Sequence, residues 1–132
     1  MIVFKYIKNT FEICPNLEKV LEEECLRLIK GDEPKEEDFM PHYYTMKRNF
    51  KEKECLAKGI SLFTDLKDIK TLFELIPNLK KKYKSIYKGK IESSHGELYN
   101  IPSNKKPSHK TFYAYKTCKE VDIFAKRIGY DF

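Results

Sequence analysis

Residues 78–119 read NLKKKYKSIYKGKIESSHGELYNIPSNKKPSHKTFYAYKTCK, and the alternation inside this stretch decides how the chain is built. Eleven lysines stand against Glu92 and Glu97, a local net charge of +9. From Tyr83 to Glu92 the side chains nearly alternate. Tyr83, Tyr87 and Ile91 fall on one face, with Lys84, Ile86, Lys88 and Lys90 on the other, which predicts a strand. Ser93-Ser94-His95-Gly96 is turn material, so Glu97 to Ile101 is expected to pair back as a hairpin. Pro102 to Ser108 reads as a loop carrying Lys105 and Lys106. His109 to Tyr115 alternates again: His109, Thr111, Tyr113 and Tyr115 share one face, and Lys110, Phe112 and Ala114 the other.

Working outward, Gly59 ends the preceding segment and Ile60-Ser61-Leu62-Phe63 reads as a short buried strand. Thr64 and Asp65 then open a helix whose stripe is Leu66, Ile69, Leu72, Phe73 and Ile76, closed by Pro77. Lys80, Lys81 and Lys82 follow as a solvated cluster. Downstream, Thr117-Cys118-Lys119-Glu120 has the form of a capping box before Val121, Phe124, Ala125 and Ile128, so a final helix is predicted up to Gly129.

At the other end, Ile2 to Ile7 is rich in β-branched and aromatic residues and predicts a strand. Leu17, Val20, Leu21, Cys25 and Leu28 recur at helical spacing and predict a helix stopped by Gly31. Gly31 to Asp38 is an acidic loop whose spacing matches no calcium loop. Phe39 to Tyr44 is ambiguous, because Pro41 disfavours a regular helix there. Thr45 to Lys58 is expected to form an exposed helix. The predicted order is β-α-(α)-β-α-β-β-β-α. This is a single α+β domain over residues 1–132, with a mixed or antiparallel sheet of about 4–5 strands and 3–4 helices mainly on one face.

Charge is unevenly distributed. Residues 1–58 carry eleven basic and twelve acidic side chains (net −1), and residues 59–132 carry fifteen and eight (net +7), giving the total of +6. An acidic N-terminal and a basic C-terminal half suggest an electrostatic dipole and a polyanionic partner. Only Arg27, Arg48 and Arg127 among the 26 basic residues are arginine, which weighs against sequence-specific base reading. Apolar runs fall far short of the ~20 residues that span a bilayer. The opening Met1-Ile2-Val3-Phe4-Lys5 lacks the features of a secretory leader, so a cytoplasmic protein is expected. Cys14, Cys25, Cys55 and Cys118 follow neither a disulfide framework nor a zinc spacing, and four reduced thiols are expected. No motif implies a metal or cofactor.

These readings point to a small binding protein. Its expected polyanion-binding residues are Lys80, Lys81, Lys82, Lys84, Lys88, Lys90, Lys105, Lys106, Lys110, His109, Tyr113 and Tyr115. The tyrosines would stack bases and the lysines would hold phosphates of a nucleic acid, or contact an acidic protein surface. The plainer alternative is that the tyrosines pack in the core and the lysines guard sheet edges. A second alternative is a small nucleotide-directed transferase or hydrolase using His42, His95, His109 or Cys118. Cys118, at a helix start between Lys116 and Lys119, would there have a lowered pKa. The strand running into a helix at Gly59 to Thr64 is loosely compatible with an ADP-ribosyltransferase-like fold, although no residue motif of that family is present. A third alternative is a mobile-element inhibitor or adaptor of a host protein.

Overall fold

The computed structural model describes residues 3–104 and 106–132. Among them seven strands form two antiparallel sheets. The first contains β1 (Glu18–Val20), β3 (Ile60–Leu62), β5 (Gly96–Asn100) and β6 (Lys110–Ala114), in the order β1-β5-β6-β3. The second contains β2 (Glu23–Ile29), β4 (Ser85–Ile91) and β7 (Lys126–Ile128), in the order β2-β4-β7. An isolated bridge between Leu26 and Phe63 joins the sheets at one corner. Five α-helical segments complete the α+β architecture: α1 (His42–Thr45), α2 (Glu54–Ala57), α3 (Leu66–Leu75), α4 (Asn78–Lys82) and α5 (Glu120–Ile123).

The inner faces of the two sheets supply the main core. Register places Leu98, Phe112 and Ile60 in one row, and these meet Cys25, Ile29, Tyr87 and Ile91 from the other sheet. Phe39 and Phe124 close this layer, their ring centroids 5.3 Å apart. Burying such side chains contributes roughly 1.5–3 kcal/mol each. The second sheet is also covered on its outer face, where Leu26, Leu28 and Ile86 lie under Ile69 and Phe73 of α3. Helix α5 packs on the inner side of β4 at Gly89, where a Cβ would stand 2.6 Å from the carbonyl oxygen of Ile123.

This double burial explains the misread helix at 17–28. A strand covered on both sides is a continuous apolar run, so Cys25-Leu26 and Leu28-Ile29 carry no period-2 signal. The apparent helical stripe is accidental: Leu21, expected in the core, is 69% exposed. The expected hairpin also differs. β4 is paired on both sides, with β2 and β7, so β5 crosses to the other sheet and pairs with β1 and β6. The predicted final helix shrinks to the four residues of α5 followed by β7. Glu120 does not close a capping box; its carboxylate pairs with Lys5, far away in sequence. The segment 45–58 holds only a 3-10 turn at Lys51–Lys53 and α2. The predicted β3, α3, β4 and β6 all form, with Asp65 and not Thr64 as the α3 cap.

The N-terminal segment is not a sheet strand beyond a single bridge between Phe4 and Tyr115; Ile2 lies outside the described residues. It lies across the outer face of the first sheet, where Phe4, Ile7 and Ile13 cover Tyr113, Tyr99 and Tyr115. Cys14 and Cys55 are disulfide-bonded, with Cα atoms 5.1 Å apart, which corrects the expectation of four free thiols. Spacing conceals the pair because the fold, not local sequence, brings the two cysteines together. Cys25 and Cys118 are free and buried. Nor do the charged halves form opposite poles, since β2 of the acidic half lies beside β4 of the basic half. Among the described residues no helix is long and apolar enough to cross a membrane.

Candidate functional site

The aromatic face of β6 is closed. Tyr113 is 2% exposed and donates its hydroxyl to the Cys55 carbonyl at 2.7 Å, so the expectation that it is available to stack on a ligand is corrected. Tyr115 is half-buried against Phe4, with ring centroids 5.2 Å apart. His109 stacks on the Phe63 ring at 5.1 Å. Burial, then the charge of Lys106, pushes its pKa down to about 4, against a small opposing pull from Asp68. It is therefore neutral near pH 7 and supplies no charge to a polyanion. Because the folded value lies below the ordinary 6.5, protonation favours the unfolded chain. The stabilisation is complete above pH 6.5 and is lost as pH falls towards 4, about 2 kcal/mol after a discount for partial exposure. An NMR titration of the His109 ring is expected to show a midpoint near 4. A midpoint at the ordinary value would remove this contribution.

The expected lysines separate into groups with different surroundings. Lys110 is 8% exposed and donates to Asn100 Oδ1, whose amide in turn donates to Glu18 Oε1 at 2.8 Å. It therefore sits on no open basic face, and its position is corrected accordingly. Lys88 and Lys90 are matched by Glu24 and Glu22, both pairs at 3.2 Å. Lys106 lies in the loop after β5, its amide bonded to Ser103; Lys105 lies outside the described residues. Lys80, Lys81 and Lys82 on α4, with Lys84 after it, are exposed.

The chemical groups considered for catalysis are not assembled. His95 sits in the turn after β4, its Nδ1 accepting from the Glu92 amide at 3.0 Å. The Cys118 thiol is buried and pushed up to about 12 by burial and then by Glu120, the reverse of the activation expected at a helix start. Among the described residues, none of His42, His95, His109 and Cys118 hydrogen-bonds to another. Nor does any group of three or more His, Cys, Asp or Glu side chains suit a metal ion. Lys5, Phe39, Cys118 and Glu120 line a cleft of about 680 Å³, in which the acid is already neutralised by Lys5.

What the fold does assemble lies around His42, in the stretch the sequence leaves ambiguous. Pro41 does not block a helix here; with its fixed φ it precedes α1 as the N-cap residue. Arg27 and Lys30 from β2 and its end, His42 and Thr45 from α1, and Lys82 and Tyr83 from the end of α4 line one pocket. The Arg27 guanidinium is held by main-chain carbonyls. Nε and Nη2 donate to Asp38 at 3.0 and 2.7 Å, and Nη1 donates to Ser61 at 2.8 Å. Burial lowers its pKa, and among the described residues no carboxylate lies within 4 Å of it. His42 is held below its ordinary value by partial burial and then by Arg27, Lys82, Arg48 and Lys30 in turn. Four cations thus act on one imidazole.

Helix α1 also carries two partly exposed rings outside the pocket lining, and Lys58 Nζ lies over one of them, Tyr43, at 4.8 Å. Tyr43 is 37% and Tyr44 47% exposed, with ring centroids 5.0 Å apart, and Tyr43 reaches Phe50 at 6.3 Å. The Arg48 guanidinium lies over Phe50 at 4.6 Å. Tyr44 donates its hydroxyl to the Tyr6 carbonyl, tying α1 to the N-terminal segment. Cations and accessible aromatics therefore do occur together, at residues 42–50 and 80–84 and not along β6. The signal in the sequence was His-Tyr-Tyr followed closely by Lys-Arg and Phe, with two of the three arginines at this site. No family model, curated protein or solved structure matches the chain.

Proposed function

We propose that the protein binds single-stranded nucleic acid through the surface formed by α1, the residues up to Phe50, and α4. The observation that carries this reading is that α1 carries exposed Tyr43 and Tyr44 next to His42, whose ring lines a pocket with Arg27, Lys30 and Lys82 and is acted on by Arg48. Aromatic faces accept any base by stacking, and neighbouring ammonium and guanidinium groups track the phosphates. Lys80, Lys81 and Lys84 extend the positive surface. The few arginines and the absence of an assembled catalytic group among the described residues favour sequence-tolerant binding over base-specific reading or catalysis. A nucleic-acid ligand supports a cytoplasmic location, against which the Cys14–Cys55 bond argues, because disulfides persist mainly in oxidising compartments.

The test is a fluorescence-anisotropy titration with labelled single-stranded DNA and RNA of mixed sequence. With about four phosphates neutralised, log affinity is expected to fall with log salt at a slope of about −3. Binding to a polyglutamate peptide as tight as to the oligonucleotides would move the reading to an acidic protein partner. No binding of either at low salt would end it.

A further inference from the structure

We propose that the pocket walled by Arg27, Lys30, His42, Thr45 and Lys82 receives a terminal phosphate group, so that the protein prefers strands bearing a phosphate at one end. This rests on the reading above for its ligand class, but it has separate physical grounds.

The first is size. The pocket measures about 110 Å³. That is the space of roughly three or four waters, enough for a tetrahedral oxyanion and its bridging oxygen. It is well short of the roughly 300–1,000 Å³ of pockets that enclose whole small molecules. A whole nucleoside does not fit. A phosphodiester within a strand, with a sugar on both sides, is also hard to seat. A terminal phosphomonoester has one attachment, so its remaining oxygens can enter first.

The second is charge. On the pocket lining Arg27, Lys30 and Lys82 oppose Glu37 and Asp38, three positive against two negative, leaving +1, and Arg48 acts on His42 from outside the lining. A monoester carries about −1.5 to −2 at pH 7, so offsetting it draws on Arg48 as well as on the lining cations. Asp38 is itself engaged by its own turn, its carboxylate accepting from the amides of Lys35 at 2.8 Å and Lys30 at 3.4 Å. The third is preorganisation. Three hydrogen bonds to carbonyls fix the Arg27 guanidinium before any ligand arrives and leave two of its five N–H donors for phosphate oxygens. Thr45 and Tyr83 add hydroxyls to the same wall.

His42 reports on occupancy. The cations that act on it are Arg27, Lys82, Arg48 and Lys30, of which Arg48 lies outside the pocket lining; the acidic and phenolic groups lining the pocket with it are Glu37, Asp38 and Tyr83. A bound dianion offsets the four cations and moves the ring's titration upward.

Two measurements test the proposal together. In the first, NMR follows the His42 ring against pH with and without millimolar inorganic phosphate; an upward shift of about one pH unit is expected, abolished by Lys82→Ala. Arg27 holds two main-chain carbonyls, so its replacement risks unfolding, and exposed Lys30→Ala serves as the second variant. In the second, the affinities of one oligonucleotide with a 5′-phosphate, a 3′-phosphate or hydroxyls at both ends are compared. At least tenfold tighter binding to one phosphorylated form is expected. Equal affinity for all three overturns the terminal-phosphate proposal while the nucleic-acid reading stands. A His42 shift without binding of any strand overturns the nucleic-acid reading and leaves a phosphate site. An unmoved His42 overturns the pocket assignment.

Discussion

Reducing the Cys14–Cys55 bond, or replacing both cysteines with serine, is expected to lower the stability of the fold by about 4 kcal/mol. The cysteines are 41 positions apart, and closing a loop of that length restricts the unfolded chain by about this amount in the chain-entropy account. For a chain of this size the loss corresponds to a fall in melting temperature of about 10–15 °C. The bond also does something local. It anchors the end of the segment that covers Tyr113, Tyr99 and Tyr115, and Cys55 supplies the carbonyl that receives the Tyr113 hydroxyl. Lys58, three residues on, pairs with Glu12 at 2.7 Å and gives the same junction a second tie. Thermal melts followed by circular dichroism, with and without a dithiol reductant, read the effect. Identical melts would mean that the covering segment is held without the disulfide, by Phe4, Ile7 and Ile13 and the Lys58–Glu12 pair.

The second large effect belongs to the exposed tyrosines. Stacking contributes roughly 1–3 kcal/mol per base, so removing one ring is expected to weaken oligonucleotide binding about tenfold, and removing both about a hundredfold. Tyr43→Ala/Tyr44→Ala tests this in the anisotropy titration. Tyr43→Phe/Tyr44→Phe keeps both rings and loses only the hydroxyls, including the donor to the Tyr6 carbonyl, so it is expected to bind within a few-fold of the unchanged chain. If the phenylalanine pair binds as poorly as the alanine pair, the hydroxyl tie to the N-terminal segment matters and stacking does not. The salt slope is expected to be unchanged in both variants, because neither removes a charge.

What the sequence made legible was local. The Ile60 strand, the helix with the Leu66, Ile69 and Phe73 stripe, and the alternating runs at 85–91 and 110–114 each carry their own period, and each forms. The α+β class follows from them. What escaped was non-local. β2 hides because it is covered on both faces, and the last helix fails because the partner of Glu120 is Lys5. The disulfide escapes because only the fold brings Cys14 to Cys55. The candidate site was misplaced for the same reason. A count of lysines along 78–119 ranks charge by sequence neighbourhood, but Lys88 and Lys90 pair with Glu24 of β2 and Glu22 just before it, and Tyr113 lies under the N-terminal segment. The proposed surface draws on three segments, near 27–30, 42–50 and 80–84, whose cations have no carboxylate within 4 Å among the described residues. No window along the chain contains it.

The most direct test of this account compares two charge-removing pairs in the same low-salt titration. Arg48→Ala/Lys82→Ala takes cations from the His42 surface; Lys88→Ala/Lys90→Ala takes the same number from the second sheet, where each is already paired. The account predicts that the first pair weakens binding of single-stranded nucleic acid at least tenfold and lowers the salt slope by about 1–2, while the second changes affinity less than threefold. Equal losses from the two pairs, or a larger loss from the second, would contradict it.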